Sequence, residues 1–300
     1  MTTWLLAGAS GFLGTALRVR LAEAGEEVVR LVRREPAATA ERRWDPDAGE
    51  LDPAVLDGVD VVVNLGGVGV FTAPWTAQRR KAILSSRVAT TSTIARALAA
   101  RGIDAPALLQ VSGVAWYGDR SGPQPATEGF PPAQDFLAQV TVAWEAATRP
   151  ASDAGVRVAL LRTSPVLDHT GGPFVPMKLA WSLGLGSTLG NGRQRMPLIS
   201  LDDWLGVVLW AATTPHAQGP YNLTIPEPTT NAEFTDTLAR ALHRPRVLKA
   251  PAFVLRRTLG ELAGQLLNDT FVIPQRLVGD GYTFAAPDVA STIETALGRR

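Results

Sequence analysis

The chain has 300 residues, of which 46% are hydrophobic and 19% charged, and a formal net charge of +1; this suits one large α/β domain with a smaller cap and excludes a disordered chain. A near-neutral balance without a wide basic cluster argues against a nucleic-acid partner, and the ERR run at 41–43 reads as solvated surface. Zero cysteines and three scattered histidines (His169, His216, His243) leave no disulfide framework and no metal-ligand spacing, while the lack of a signal pattern or of an apolar run near ~20 residues predicts a cytoplasmic protein that does not engage a membrane.

The first element, Trp4-Leu5-Leu6-Ala7, is a short continuous apolar run, as a parallel strand buried on both faces requires. Leu13, Leu17 and Leu21 then recur at helical spacing, and Gly25 is placed to close that helix in a left-handed cap. Strands are expected at 28–32, 59–67, 106–113 and 156–164. Helices are expected at 75–102 and 134–154. In the latter, Phe136, Val140 and Trp144 share one face. Alternation of this kind predicts right-handed crossovers and a doubly wound parallel sheet. Past residue 165 the texture changes to glycine-rich loops and shorter elements. Helices are expected at 201–212, with Asp203 near the start, at 231–242, capped by Asn231 with Glu233 behind it, and at 250–267. The expected division is 1–165 for the nucleotide-binding domain and 166–300 for a substrate cap, with some interleaving. A ligand would lie across the carboxyl ends of the strands.

Between the first strand and the first helix stands GASGFLG, with Gly8, Gly11 and Gly14 spaced by three. Glycines there let the backbone turn tightly and approach a pyrophosphate, and the helix N-terminus offers free N–H groups and a positive dipole end. Gly8, Ser10, Gly11, Phe12, Leu13 and Gly14 are therefore candidate cofactor contacts. The second strand ends Leu31-Val32-Arg33-Arg34. An enzyme selective for NAD places an acid near this point to hold the ribose 2′-hydroxyl. Arg33 and Arg34 instead suit a 2′-phosphate, and NADP(H) is the expected cofactor over NAD(H).

With WDP (44–46), VVNLGG (62–67), Trp75-Lys81-Arg87, VSGVAWYG (111–118), LLRTSPVL (160–167), GLGSTLGNGRQ (184–194) and TNAEF (230–234), the chain resembles the extended short-chain dehydrogenases of the NAD-dependent epimerase/dehydratase superfamily. More closely it looks like an atypical branch labelled "epimerase family protein" or sugar-nucleotide epimerase, whose substrate is generally left open, and 250–300 looks like that branch's own small C-terminal segment. The resemblance implies a Rossmann-type fold. It implies that Arg33 meets the 2′-phosphate, that Leu65 and Gly66 lie along the cofactor, that Arg87 points toward the nucleotide, and that Pro165 and Val166 sit near the nicotinamide. A helix-surface ion pair is the competing role for Arg87.

Ordinary members of that superfamily carry a tyrosine and a lysine four residues apart on the helix at 134–154. Registered on Glu145, the lysine position is Thr141 and the tyrosine position is Leu137. Leucine transfers no proton and threonine carries no charge. The serine position after the preceding strand falls on Gly113, with Ser112 one residue earlier. Elimination leaves Tyr117 as a candidate proton donor, assisted by Ser112 or water. Tyr117 also reads as a packing residue, Ser112 as a strand-end cap, and Asp203, Glu128 and His169 as capping or exposed residues. Two functions stay open: an NADP(H)-dependent oxidoreductase or epimerase acting on a small carbonyl or sugar-nucleotide substrate, or an NADP(H)-binding sensor or scaffold without turnover. Either would work as a monomer or homodimer, with a small molecule as the only expected partner.

Overall fold

The computed structural model describes residues 1–245 and 248–299. The first half of the chain forms β1 (Thr3–Ala7), α1 (Phe12–Glu23), β2 (Glu27–Val32), β3 (Glu41–Arg43), β4 (Val61–Asn64), α2 (Ala77–Ala99), β5 (Ala107–Gly113), α3 (Phe136–Ala146), α4 (Arg149–Asp153) and β6 (Val158–Thr163). Then come β7 (Val166–Leu167), α5 (Phe174–Ser182), β8 (Ser187–Leu189), β9 (Arg195–Met196), β10 (Ile199–Ser200), α6 (Leu201–Thr213) and β11 (Gly219–Leu223). The remainder is β12 (Thr229–Thr230), α7 (Asn231–Ala241), β13 (Leu248–Ala250), α8 (Ala252–Leu259), α9 (Leu262–Leu267), α10 (Gln275–Gly279) and α11 (Val289–Ala296).

Seven strands make one sheet in the order β3-β2-β1-β4-β5-β6-β11, every pair parallel. This is the doubly wound, Rossmann-type α/β architecture. Alternate side chains feed two cores, as the period of two in a strand dictates. Trp4 and Leu6 of β1 pack with Leu17 and Leu21 of α1 and Trp204 and Val208 of α6. Leu5 and Ala7 pack on the opposite face with Ile94 and Leu98 of α2 and Ala151 of α4. A third cluster joins α5, α7 and α11 through Phe174, Trp181, Phe234, Leu238 and Ile293.

Several local expectations change. The ERR run is the edge strand β3: Arg42 and Arg43 are exposed as expected, but Glu41 is 3% exposed. The cap of α7 is Thr230 in a reciprocal box with Glu233, while Asn231 is already helical and its side-chain oxygen accepts the Leu189 N–H at 2.8 Å. The 250–267 helix is broken at Gly260, whose φ of +57° a continuous helix cannot hold. The 134–154 helix divides into α3 and α4 around Ala147 and Thr148, and Pro150 stands in the first turn of α4. Asp203 does not cap α6. Ser200 does, and the buried Asp203 carboxylate accepts N–H bonds from Ala285 at 2.7 Å and Ala286 at 2.9 Å. It therefore ties the C-terminal segment to α6. Among the described residues no helix is long and apolar enough to cross a membrane, and no group of three or more metal-ligating side chains occurs.

Candidate functional site

The carboxyl ends of β1, β4, β5 and β6 share one edge of the sheet, and the glycine loop turns there. The three glycines do different work. Gly8 has φ +78°, and a Cβ on it would come within 2.8 Å of the Leu65 carbonyl carbon, so the loop rests directly on the chain leaving β4. A Cβ on Gly14 would come within 2.8 Å of Ala9 Cα and closer still to Gly8 O, so this glycine lets α1 pack against the turn. Gly11 is different: a Cβ there would meet only Gly8 O, at 3.6 Å. The protein's own packing does not require glycine at 11. Gly11 starts α1 with no side chain capping it, so the first N–H groups of the helix are free for an anion. This open cradle is what a pyrophosphate requires. The Phe12 and Leu13 side chains turn inward, and Phe12 carries Gly171 and Gly172 against its ring. Ser10 stays exposed on the turn.

The two arginines after β2 are not equivalent. Arg34 is bound bidentately by Glu41, with Nη1 to Oε2 at 2.8 Å and Nη2 to Oε1 at 2.7 Å, and Arg30 joins the same carboxylate at 3.0 Å. Chiefly through the Arg34 hydrogen bond, Glu41 is held down to about 2. Arg33 is exposed and has no hydrogen-bond or ion-pair partner among the described residues. The sequence names the pair together, but the structure leaves one guanidinium free at the end of β2.

Beyond β4 the chain forms a ledge, Leu65-Gly66-Gly67. Gly66 N–H bonds the Asn64 side-chain oxygen at 3.0 Å, and a Cβ on Gly66 would touch Thr90. Arg87 rises from α2 behind this ledge. It is 9% exposed, donates from Nη1 to the carbonyls of Val68 at 2.9 Å and Ile83 at 3.1 Å, and lies over the Trp144 ring at 4.8 Å. It is not a surface ion pair; no carboxylate contacts it among the described residues. Burial, with Arg79 adding to it, lowers its pKa to about 10, so it remains charged at neutral pH.

On α3, Leu137 is buried and Thr141 donates its hydroxyl to Leu137 O at 2.8 Å. That hydroxyl already has its acceptor within the helix. Thr141→Val is therefore expected to leave affinity for NADPH unchanged within twofold in calorimetry. A larger loss in a folded variant would give the threonine a ligand.

Tyr117 and Ser112 require correction. The Tyr117 side chain is fully buried; its hydroxyl donates to Asn222 Oδ1 at 2.8 Å and accepts from Arg162 Nη1 at 2.9 Å. Burial pushes the phenol up to about 12. A phenol with both partners in place and no exposed surface fits the packing role better than that of a free proton donor. Ser112 does not cap its strand: it donates to Glu145 Oε1 at 2.7 Å. Glu145 is gripped by Arg162, Nε to Oε1 and Nη2 to Oε2, both at 2.8 Å. Glu128 extends the network by accepting the N–H groups of Asn222 at 3.1 Å and Arg276 at 3.3 Å, and burial raises its carboxyl above the usual range. Sequence reasoning missed this network. Its visible signal was Arg162, a charge inside the apolar strand run VALLRT, which demands a buried partner.

At the end of β6, Pro165 is exposed at the edge, whereas Val166 is 4% exposed and belongs to the core cluster under α6. Val166 can contribute backbone here but not its side chain. His169 stands exposed beside Asp168, 3.6 Å away. The C-terminal region reaches the start of α2. Glu261, between α8 and α9, pairs with Arg80 in the first turn of α2, and Arg195 is held by Asp269, Nε to Oδ1 at 2.7 Å.

The model of the NAD dependent epimerase/dehydratase family matches residues 4–224, and a domain of unknown function, DUF1731, matches 250–296. An epimerase family protein of Mycobacterium bovis, Mb2239, is 40% identical over 294 residues, covering 98% of this chain and 95% of its own. The crystal structure of human epimerase family protein SDR39U1 with NADPH superposes with a TM-score of 0.89 at 31% identity, covering 100% of both chains. UDP-glucuronic acid 4-epimerase from Bacillus cereus superposes with a TM-score of 0.76 at 14% identity, covering 99% of this chain and 98% of its own, a likeness of fold.

Proposed function

Because the chain belongs to the NAD dependent epimerase/dehydratase family, we propose that it is a cytoplasmic NADP(H)-binding protein, monomeric or homodimeric. It would take its cofactor along the carboxyl edge of the sheet and act on a small carbonyl or sugar-nucleotide substrate. When bound, the cofactor supplies hydride exchange at its nicotinamide. The chain's part is to hold it. The N-terminus of α1 behind Gly8, Ser10 and Gly11 binds the pyrophosphate, and Gly14 keeps that helix in place. Arg33 binds the 2′-phosphate, while Arg34, fixed by Glu41, walls the adenine end. Leu65 and Gly66 support the middle, with Arg87 and Pro165 toward the nicotinamide. The observation that carries the preference for NADP(H) is the division of labour after β2: Glu41 occupies Arg34 and leaves Arg33 without a protein partner where an NAD enzyme keeps an acid.

NADPH is expected to bind at least about tenfold more tightly than NADH, the worth of a charge-assisted hydrogen-bond pair. Arg33→Asp should cancel or reverse the difference. Calorimetric titration of both cofactors decides it, and equal affinities for the unmodified protein would defeat the assignment.

A second reading has its own support. Leu137 and Thr141 stand where a proton-transfer pair would, both packed, and Tyr117 is enclosed. A cofactor-binding sensor or scaffold needs none of them. Oxidation of NADPH with a panel of aldehydes, ketones and sugar nucleotides separates the two: a thermal shift with NADPH but no turnover on any of them favours the sensor.

A further inference from the structure

Arg87 is a buried cation that the protein does not neutralise. Its Nη1 donates to two backbone carbonyls, and its Nε and Nη2 donate to nothing among the described residues. Neither nitrogen is sealed from solvent, so both stay open to an electron-rich group that arrives at the ledge. The position of Arg87 indicates what that group is. The glycine loop touches the ledge at Leu65 and Gly66, since a Cβ on Gly8 would come within 3.1 Å of Gly66 N. One residue further out, a Cβ on Gly67 would lie 3.2 Å from Arg87 Cζ. The guanidinium then faces Trp144, on the face of α3 one turn beyond Thr141. The order from the pyrophosphate cradle is therefore Gly8, the ledge, Arg87, and then the helix on which relatives of ordinary type carry a lysine. Arg87 thus brings a charge from α2 to the face of α3 at Trp144.

We infer that Arg87 places a fixed positive charge beside the nicotinamide end of the bound cofactor and so makes the site select NADPH over NADP⁺. The inference rests on the cofactor reading above. The two cofactor forms carry the same phosphates and differ at the ring, which is neutral in NADPH and positive in NADP⁺. A cation near the ring therefore penalises only the oxidised form, while a cation on the pyrophosphate helps both equally. At the effective dielectric of a protein edge, like charges a ring-width or two apart change the ratio on the order of tenfold. A site of this kind takes up the reduced form in proportion to its supply, whether it then passes a hydride on or only reports it.

The test is calorimetric titration of the full chain with NADPH and with NADP⁺ at fixed ionic strength, for wild type, Arg87→Gln and Arg87→Lys. Wild type is expected to favour NADPH by roughly tenfold, Arg87→Gln to bring the two affinities together, and Arg87→Lys to retain a preference. Equal wild-type affinities overturn the inference and need no folded variant. An Arg87→Gln protein that weakens both ligands by the same factor also overturns it, by assigning Arg87 to a phosphate. Failure of wild type to bind either form is a separate result that removes the cofactor reading itself.

Discussion

Arg162→Leu is expected to destabilise the fold by about 3–5 kcal/mol, the cost of stranding a buried carboxylate whose partner has been removed. Glu145 is 7% exposed and would keep only the Ser112 hydroxyl as a donor. Tyr117 would lose the donor to its phenol, and the carbonyl of Glu128 would lose its 3.2 Å bond. Urea titration followed by tryptophan fluorescence reads the loss; a change below about 1 kcal/mol, the range of an exposed ion pair, would show that the pair is hydrated. Replacing both partners by leucine and methionine should recover much of the stability, because the charge and its counter-charge leave together. Tyr117→Phe removes one neutral hydroxyl from the same network. It should cost about 1 kcal/mol and leave NADPH affinity as it was, which places the phenol in the scaffold and outside the cofactor site.

The second large effect comes from a pair of glycine substitutions. Gly14→Ala puts a methyl within 2.8 Å of Ala9 Cα and nearer still to Gly8 O, both backbone atoms that cannot rotate away. Helix α1 must move off the turn, at a cost of about 3 kcal/mol, and cofactor binding goes with it. Gly11→Ala meets only Gly8 O at 3.6 Å and has φ −74°, which alanine accepts. It should fold close to normally yet bind NADPH at least about tenfold less well, since the methyl stands where a pyrophosphate must approach. If the loop is a cofactor cradle, calorimetry shows weakened binding in both variants, while circular dichroism melting shows a large loss of stability only in Gly14→Ala. Wild-type affinity in Gly11→Ala would mean that no phosphate comes there.

The alternating core was legible because its physics is local. Trp4 to Ala7, Val61 to Val63 and Leu108 to Val111 are runs with few other uses, and Gly25 does close its helix, whereas α2 already ends at Ala99, short of the expected stop at Gly102. The cradle was legible for the same reason: three glycines between a strand and a helix state a backbone requirement. Long-range pairings were not. Glu41 looked like surface because its partner, Arg34, is seven residues away across a turn and the strand that buries it is three residues long. Tyr117 looked available because its acceptor, Asn222, lies 105 residues downstream. Elimination among residue types chose the phenol, and tertiary packing then enclosed it. Arg87 could be placed near the nucleotide by resemblance, but its lack of any carboxylate is visible only once α2, α3 and the ledge are assembled.

The place of β11 at the end of the sheet has a bearing on how the chain is made. Its neighbour β6 ends at Thr163, and β11 begins at Gly219. At about 5–20 residues per second, β6 leaves the ribosome several seconds before the strand that will cover it. During that interval its outer edge presents unpaired N–H and C=O groups along a run that is almost wholly apolar, the condition in which one nascent chain adds to another. The acceptor for Tyr117 and the N–H donor to Glu128 arrive on that same late strand, at Asn222. The first half of the sheet is thus unfinished until translation is well into the cap. Slowing synthesis between residues 164 and 218 should raise the aggregated fraction, and shielding that edge with a chaperone should lower it.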